Sequence, residues 1–187
     1  AQQKKRRRRR MAECAECRTF CSPKQAWLLR FTTVKDMNEM SSEPRVLLVE
    51  NNDALRMMLF TILRHQPIGV DTAVNATEAL EKVTTCDYSL IVIDMDVPDA
   101  DWFLTRFRGE RPEATSFVLA VRDPRTERYL DPDIVSAVLS KPLEIDTLAE
   151  LVRECALVVP LPEDPLPCSP AESDVRLRLE RGPSIAN

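Results

Sequence analysis

The stretch formed by residues 90–101, which reads L-I-V-I-D-M-D-V-P-D-A-D, constrains the fold of this chain most strongly. A short apolar run that ends abruptly in turn residues is typical of a strand buried on both faces of a sheet. Asp94 would then lie where the strand reaches the surface, which is where open α/β sheets bind their ligands. Taken alone, the stretch fits equally well an aspartate that only caps the following turn.

Strand patterns and helix patterns alternate five times after residue 45. The predicted strands cover residues 46–49, 70–74, 90–94, 117–121 and 134–139. Helices are predicted from about residue 53 to 65, from a cap at 75 to 84, from 102 to 108 and from 145 to 158, with room for only a short helix between 122 and 132. This alternation predicts the α/β class, with a single doubly wound five-stranded parallel sheet and helices on both faces.

Charged residues follow three of the predicted strands. Glu50 ends the first strand, Asp94 ends the third, and Lys141 follows the fifth. Because the carboxyl ends of parallel strands meet at one edge of the sheet, three such residues at this edge favour a binding site over coincidence. Each residue taken singly would fit a structural role.

Three motifs together resemble those of a response-regulator receiver domain, the signalling module of two-component systems. They read R-V-L-L-V-E-N-N-D from residue 45, L-I-V-I-D-M-D-V-P-D-A-D from residue 90 and L-S-K-P-L from residue 139. The resemblance covers residues 45–158 and implies a flavodoxin-like sheet with strand order 2-1-3-4-5. It implies a signalling domain, not an enzyme, whose partners are a sensor histidine kinase or phosphotransfer protein and a downstream protein target. We expect the domain to stand alone, because no second domain fits in the remaining residues, and to be cytoplasmic by default.

The resemblance also implies a role for each charged residue. Asp94 would accept a phosphoryl group, and Lys141 would contact the phosphoryl oxygens. Mg²⁺ would be held by Glu50, Asp94 and the backbone carbonyl of Asp96. These roles make physical sense, because a carboxylate that attacks an anionic phosphoryl donor needs a hard cation held by oxygen ligands between them.

The chain departs from the family pattern at several positions. Asn51 stands where a second acid is usual, so it would be only a weak or water-mediated metal ligand. At the switch position the usual hydroxyl is absent, because the matching residue is Val121, or Ala120 if the register differs by one. Trp102 replaces a customary glycine. These departures keep open an alternative function, a pseudo-receiver that acts as a phosphorylation-independent scaffold for protein–protein interaction.

The N-terminal residues have a different charge from the rest of the chain. Residues 1–40 contain 11 Lys and Arg against 4 Asp and Glu, whereas residues 41–187 contain 15 against 26. An acidic body argues against nucleic acid as its partner, which leaves only the arginine-rich arm at residues 4–10 as a candidate for such binding. We predict that residues 1–40 form a disordered extension, and the sequence offers no membrane-spanning run.

Cysteines and prolines lead to two further expectations. Cys14, Cys17 and Cys21 lack a fourth metal ligand nearby, and the scattered cysteines at 86, 155 and 168 suit reduced thiols rather than disulfides. Six prolines in residues 160–187 predict a disordered tail, with residues 175–179 as a candidate docking segment.

Overall fold

Five parallel strands form a single sheet in the computed structural model, which describes residues 43–162 and 164–181. The strands are β1 (Arg45–Val49), β2 (Gly69–Ala73), β3 (Leu90–Asp94), β4 (Phe117–Arg122) and β5 (Ala137–Ser140). Their spatial order is β2-β1-β3-β4-β5. The predicted fold class and strand order are therefore confirmed.

Helices cover both faces of the sheet. They are α1 (Asp53–Leu63), α2 (Ala76–Thr85), α3 (Ala100–Glu110), α4 (Ile145–Val158) and α5 (Glu172–Arg181). Helices α2 and α3 pack on one face, where Ile91 and Ile93 of β3 contribute to the core. Helices α1 and α4 pack together at the other face. Alternate β3 residues thus meet different helices, and burial on both sides explains the continuous apolar sequence of the strand.

Local sequence signals set the starts of the first two helices. The side chain of Asn52 accepts a hydrogen bond from the backbone N–H of Leu55, and Asn75 accepts one from Glu78. Both caps satisfy backbone donors that the first helical turn leaves unpaired. The buried residues of α1 are Arg56, Leu59, Phe60 and Leu63, whereas Met58 is largely exposed.

The predicted short helix between β4 and β5 is wrong. Residues 123–136 form turns, bends and irregular backbone, and they include Pro124 and Pro132, which lack the N–H that a helix interior requires. Arg128 holds this loop in place, because its guanidinium donates to the carbonyl of Met95 at 2.6 Å and its own carbonyl accepts from Arg122. A loop therefore replaces one crossover helix.

The prediction of a disordered tail is wrong for residues 164–181, which include helix α5. The backbone N–H of Val70, on the edge strand β2, donates to the hydroxyl of Ser173. The carboxylate of Asp71 accepts from the backbone N–H of Glu172, from Arg45 and from the hydroxyl of Tyr88. The tail thus covers the edge strand and provides hydrogen-bond partners for the backbone N–H of Val70 and the carboxylate of Asp71.

A disulfide joins Cys86, at the end of α2, to Cys168 in the tail. The prediction of reduced thiols is therefore wrong for these two residues, and Cys155 is a buried free cysteine. The cause of the error is distance along the chain, because the two bonded cysteines lie 82 residues apart. We call residues 164–176, together with this disulfide, the C-terminal clasp.

The expectations for the basic extension and for Cys14, Cys17 and Cys21 lie outside the described residues, which begin at residue 43. Within the described part of the chain, none of the helices has the length and apolar character needed to cross a membrane.

Candidate phosphoacceptor site

Two buried carboxylates lie at the carboxyl ends of neighbouring strands. Asp94 is the last residue of β3, and Glu50 follows the last residue of β1. Their exposed fractions are only 5% and 6%. Because β1 and β3 pair in parallel, the two acids emerge side by side at the same sheet edge.

Lys141 brings a positive charge to this edge. It directly follows β5, and its ammonium group lies 2.6 Å from Oδ2 of Asp94 and 2.7 Å from Oδ2 of Asp96. Burial lowers the pKa of Lys141, but hydrogen bonds to these two carboxylates outweigh burial, so the net pKa is raised. Lys141 therefore stays protonated at neutral pH and is a fixed cation beside Asp94.

Glu50 binds protons more readily than an ordinary glutamate. Its pKa is raised from 4.5 to about 7, mainly by burial, and the nearby charge and hydrogen bond of Asp94 contribute to the same rise. A hydrogen bond from the backbone N–H of Asn52 acts in the opposite direction. Two close carboxylates in a buried site repel each other, so the pair is suited to a cation.

The loop after β3 holds Asp94 in one orientation. The backbone N–H of Asp96 donates to Oδ1 of Asp94 at 2.9 Å, and the N–H of Val97 donates to its backbone carbonyl. Lys141 contacts the other carboxylate oxygen, Oδ2. Asp94 is thus oriented from two sides, as a nucleophile must be.

Two of the three departures from the family pattern, Asn51 and Val121, differ in their surroundings. Asn51 is exposed in the turn before α1. Val121 pairs with Asp94 across β3 and β4, whereas Ala120 pairs with Ile93 and belongs to the core on the opposite face. Of the two residues that the sequence left open, Val121 is therefore the one beside Asp94, and its methyl groups cannot donate a hydrogen bond there.

Two arginines near the site were not predicted from the sequence. Arg56 is buried, and its guanidinium donates to the carbonyl of Glu50 at 2.8 Å. Arg128 donates to the carbonyl of Met95, next to Asp94, and lies 3.4 Å from the carboxylate of Asp101. Nothing in the sequence signalled Arg56, because an arginine in a helix is ordinarily expected to be exposed.

The donor set fits a hard divalent cation. Among residues 43–162 and 164–181, no three His, Cys, Asp or Glu side chains converge as a metal-binding group. The side chains of Glu50 and Asp94 do come together, since both line one cavity with Lys141. Two carboxylates and a backbone carbonyl, with water in the other positions, match the oxygen ligands that Mg²⁺ prefers.

Comparison with known proteins agrees with this fold. The family model "Response regulator receiver domain" matches residues 46–153. The chain is 30% identical over 112 residues to the transcriptional regulatory protein PmrA of Pectobacterium parmentieri, covering 58% of this chain and 50% of that protein. It is 28% identical over 124 residues to TcrA of Mycobacterium tuberculosis, covering 65% and 49%. The chain thus spans about half the length of these relatives.

Solved structures of receiver domains share the fold. The chemotaxis response regulator CheY4 of Vibrio cholerae matches with a TM-score of 0.53 at 20% identity, over 61% of this chain and 99% of that one. TrrA of Thermotoga maritima, solved in complex with Mg²⁺ and BeF, matches with a TM-score of 0.51 at 23% identity, over 60% and 98%.

These matches define the class of protein. The chain belongs to the response-regulator receiver domain family, the receiver modules of two-component signal transduction.

Proposed function

We propose that this receiver domain accepts a phosphoryl group on Asp94 from a sensor histidine kinase or a phosphotransfer protein. The contact that carries the proposal is the 2.6 Å pairing of the Lys141 ammonium with the buried carboxylate of Asp94. In the proposed step, a carboxylate oxygen of Asp94 forms a bond to phosphorus as the bond from phosphorus to the donor's histidine nitrogen breaks. The product is an aspartyl phosphate, and the domain is a signalling module rather than a turnover enzyme.

The residues around Asp94 have separate tasks in this proposal. The backbone N–H of Asp96 holds Oδ1 in place, so that Oδ2 is the oxygen directed at Lys141. Lys141 supplies positive charge for the arriving phosphoryl oxygens, which reduces repulsion between two anions. Glu50, Asp94 and the carbonyl of Asp96 would hold Mg²⁺, which, when bound, neutralises charge between nucleophile and donor.

Intact-mass measurement tests the proposal. Incubation of the whole chain with acetyl phosphate and Mg²⁺ is expected to add the mass of one phosphoryl group, and Asp94→Ala is expected to abolish the gain. Asp101→Ala is the matched control, because Asp101 is exposed on α3 and pairs with Arg128 rather than Lys141. A gain that persists in Asp94→Ala would reject Asp94 as the acceptor.

A pseudo-receiver scaffold is the second candidate function. Val121 at the switch position and the exposed Asn51 favour it, because both remove groups that receivers usually use to bind Mg²⁺ and report phosphorylation. On this alternative the chain binds a partner through its helical faces regardless of phosphorylation. No mass gain even at high Mg²⁺ would support the scaffold.

We expect Mg²⁺ affinity to rise with pH. The pKa of Glu50 is about 7, so the residue changes from mostly protonated to mostly ionised between pH 6 and 8. Since only the ionised form is a good ligand, the Kd for Mg²⁺ should fall roughly tenfold over this range. The raised pKa also means that Glu50 stabilises the metal-free fold most below pH 4.5, and that this contribution is lost as pH rises through 7.

Isothermal titration calorimetry with Mg²⁺ at pH 6, 7 and 8 checks this expectation. Glu50→Gln is the control, and it should bind Mg²⁺ weakly with little dependence on pH. A wild-type Kd that is the same at pH 6 and 8 would show that Glu50 is not a ligand.

Asn51→Asp is expected to tighten Mg²⁺ binding about tenfold or more. The change restores the acid that the family usually has, and a unit-charge pair at 4 Å contributes roughly 4 kcal/mol at an effective dielectric of 20 before hydration reduces it. The same calorimetric titration measures it. Asp53→Asn, in the first turn of α1, is the control for a change in net charge near the site. An unchanged Kd for Mg²⁺ in Asn51→Asp would place residue 51 outside the metal site.

The output of the domain is proposed to differ from that of ordinary receivers. A loop replaces the helix between β4 and β5, and Tyr129 in this loop is 83% exposed, while Val138 on β5 is 41% exposed. This altered face is our candidate surface for the downstream protein target.

We assign the domain to the cytoplasm, together with its kinase. The Cys86–Cys168 disulfide is unusual in that compartment.

A further inference from the structure

A cavity of about 330 Å³ opens beside Asp94. Its volume falls within the range of about 300–1,000 Å³ that is usual for small-molecule sites. It lies between the sheet, helix α1 and the start of α4, and its apolar walls include Leu59, Val121, Ile145 and Leu148. We call this part the apolar chamber.

Phosphoryl transfer does not use the apolar chamber. A phosphoryl group and its cation need only the charged rim, which is formed by Glu50, Asp94 and Lys141. Val121 adds methyl groups where receivers usually have a hydroxyl, so this wall offers no hydrogen bond. Water in such a space lacks partners, and the chamber therefore favours an apolar group.

The charged rim selects the head group of such a ligand. Two of its three charged residues are buried carboxylates, and its one ammonium is already paired with Asp94 and Asp96. Without Mg²⁺, an anionic head group would be repelled by both acids, whereas a cationic head group would replace the unfavourable pairing of the two acids with charge-assisted hydrogen bonds.

We propose that the cavity binds a small apolar primary amine, with its ammonium group against Glu50 and Asp94 and its hydrocarbon chain in the apolar chamber. Binding of the amine does not depend on the proposed phosphotransfer. The consequence of amine binding does depend on the proposed phosphotransfer. Because the same carboxylates would hold Mg²⁺, the amine and Mg²⁺ compete, and the amine opposes phosphorylation of Asp94.

Calorimetric titration of the whole chain in EDTA tests binding, with n-propylamine, n-butylamine and n-hexylamine as probes. Each added methylene that enters the chamber should lower the Kd about fourfold, which corresponds to roughly 0.8 kcal/mol per buried CH₂. Hexan-1-ol and hexanoate are the head-group controls, and both should bind more weakly than hexylamine. Equal affinity for propylamine and hexylamine, or tighter binding of hexanoate, would overturn the proposal.

A pair of variants on helix α4 locates the site. Ile145 is a partly exposed wall of the chamber, so Ile145→Phe should narrow it and raise the Kd for hexylamine at least tenfold. Leu157→Phe is the matched control, because Leu157 is on the same helix, is exposed and does not line the cavity. Unchanged hexylamine affinity in Ile145→Phe would contradict the assignment.

Two readouts on the same protein keep the proposals separate. Hexylamine should raise the apparent Kd for Mg²⁺ and slow the mass gain from acetyl phosphate, while hexan-1-ol should do neither. Normal phosphorylation without amine binding would reject only the amine site. Amine binding without any phosphorylation would reject only the proposed phosphoacceptor function.

Discussion

Replacing Lys141 by methionine is expected to slow phosphorylation of Asp94 by roughly 10²–10³-fold, the usual effect of removing one preorganised charge-stabilising group. The ammonium of Lys141 lies 2.6 Å from Asp94 and is the one cation that contacts this carboxylate within the described residues. Methionine has a similar length but no charge, so the variant isolates electrostatics from packing. Time courses of intact mass in acetyl phosphate measure the rate.

The same variant should bind Mg²⁺ more tightly than the wild type. Lys141 neutralises Asp94 and Asp96 in the structure, and its removal leaves the acids to attract the metal more strongly. A slower phosphorylation rate together with tighter Mg²⁺ binding distinguishes the loss of one charge from a loss of fold, because a loss of fold would lower both the rate and the affinity. An unchanged rate, or weaker Mg²⁺ binding in a variant with normal thermal unfolding, would contradict it.

Lys82→Met is the matched control for Lys141→Met. Lys82 is also partly buried and paired with carboxylates, those of Glu78 and Glu172, but it lies at the C-terminal clasp rather than at the site. Its replacement should leave both the phosphorylation rate and the Kd for Mg²⁺ unchanged. A slower rate in Lys82→Met would show that the effect is not specific to Lys141.

Cys168→Ser is expected to lower the free energy of unfolding by about 4 kcal/mol, as the chain-entropy account of disulfides gives for a loop of this length. The Cys86–Cys168 bond closes a loop of 82 residues that includes β3, β4, β5 and α4. Its loss lets the unfolded chain expand, while the contacts of Asp71 and Ser173 still hold the clasp in the native state. Urea unfolding under oxidising conditions measures the change.

A reducing agent provides the control for this prediction. Dithiothreitol should lower the stability of the wild type by a similar amount and leave Cys168→Ser unchanged. Cys155→Ser should keep the response to dithiothreitol, because Cys155 is a free cysteine and forms no disulfide. A wild type whose stability does not respond to dithiothreitol would contradict a stabilising disulfide.

The sheet could be predicted because its strands carry their own signals. Residues 46–49 and 90–94 are apolar runs that end at Glu50 and Asp94, as strands buried on both faces require. Their parallel pairing then follows from the helices between them, and it brings the charged ends together. Asp94 and Lys141, which are 47 residues apart, could be expected to meet for this reason alone.

The clasp could not be predicted, because its contacts join distant parts of the chain. The proline content of the tail indicates only that no long regular element can form there, whereas the bond from the N–H of Glu172 to Asp71 spans 101 residues. Arg56 was missed for a different reason: its partners, Glu50 and Asp53, lie close in sequence, but an arginine in a helix is ordinarily expected to be exposed. The local sequence pattern therefore revealed neither the clasp nor the burial of Arg56.

The most direct test of the central claim is to trap the acceptor residue chemically. After incubation with acetyl phosphate and Mg²⁺, treatment with sodium borohydride reduces an aspartyl phosphate to homoserine, which peptide mass spectrometry can locate. The account predicts homoserine at position 94 in the wild type and none there in Lys141→Met at the same early time. Homoserine at another aspartate, with Asp94 unmodified, would contradict it.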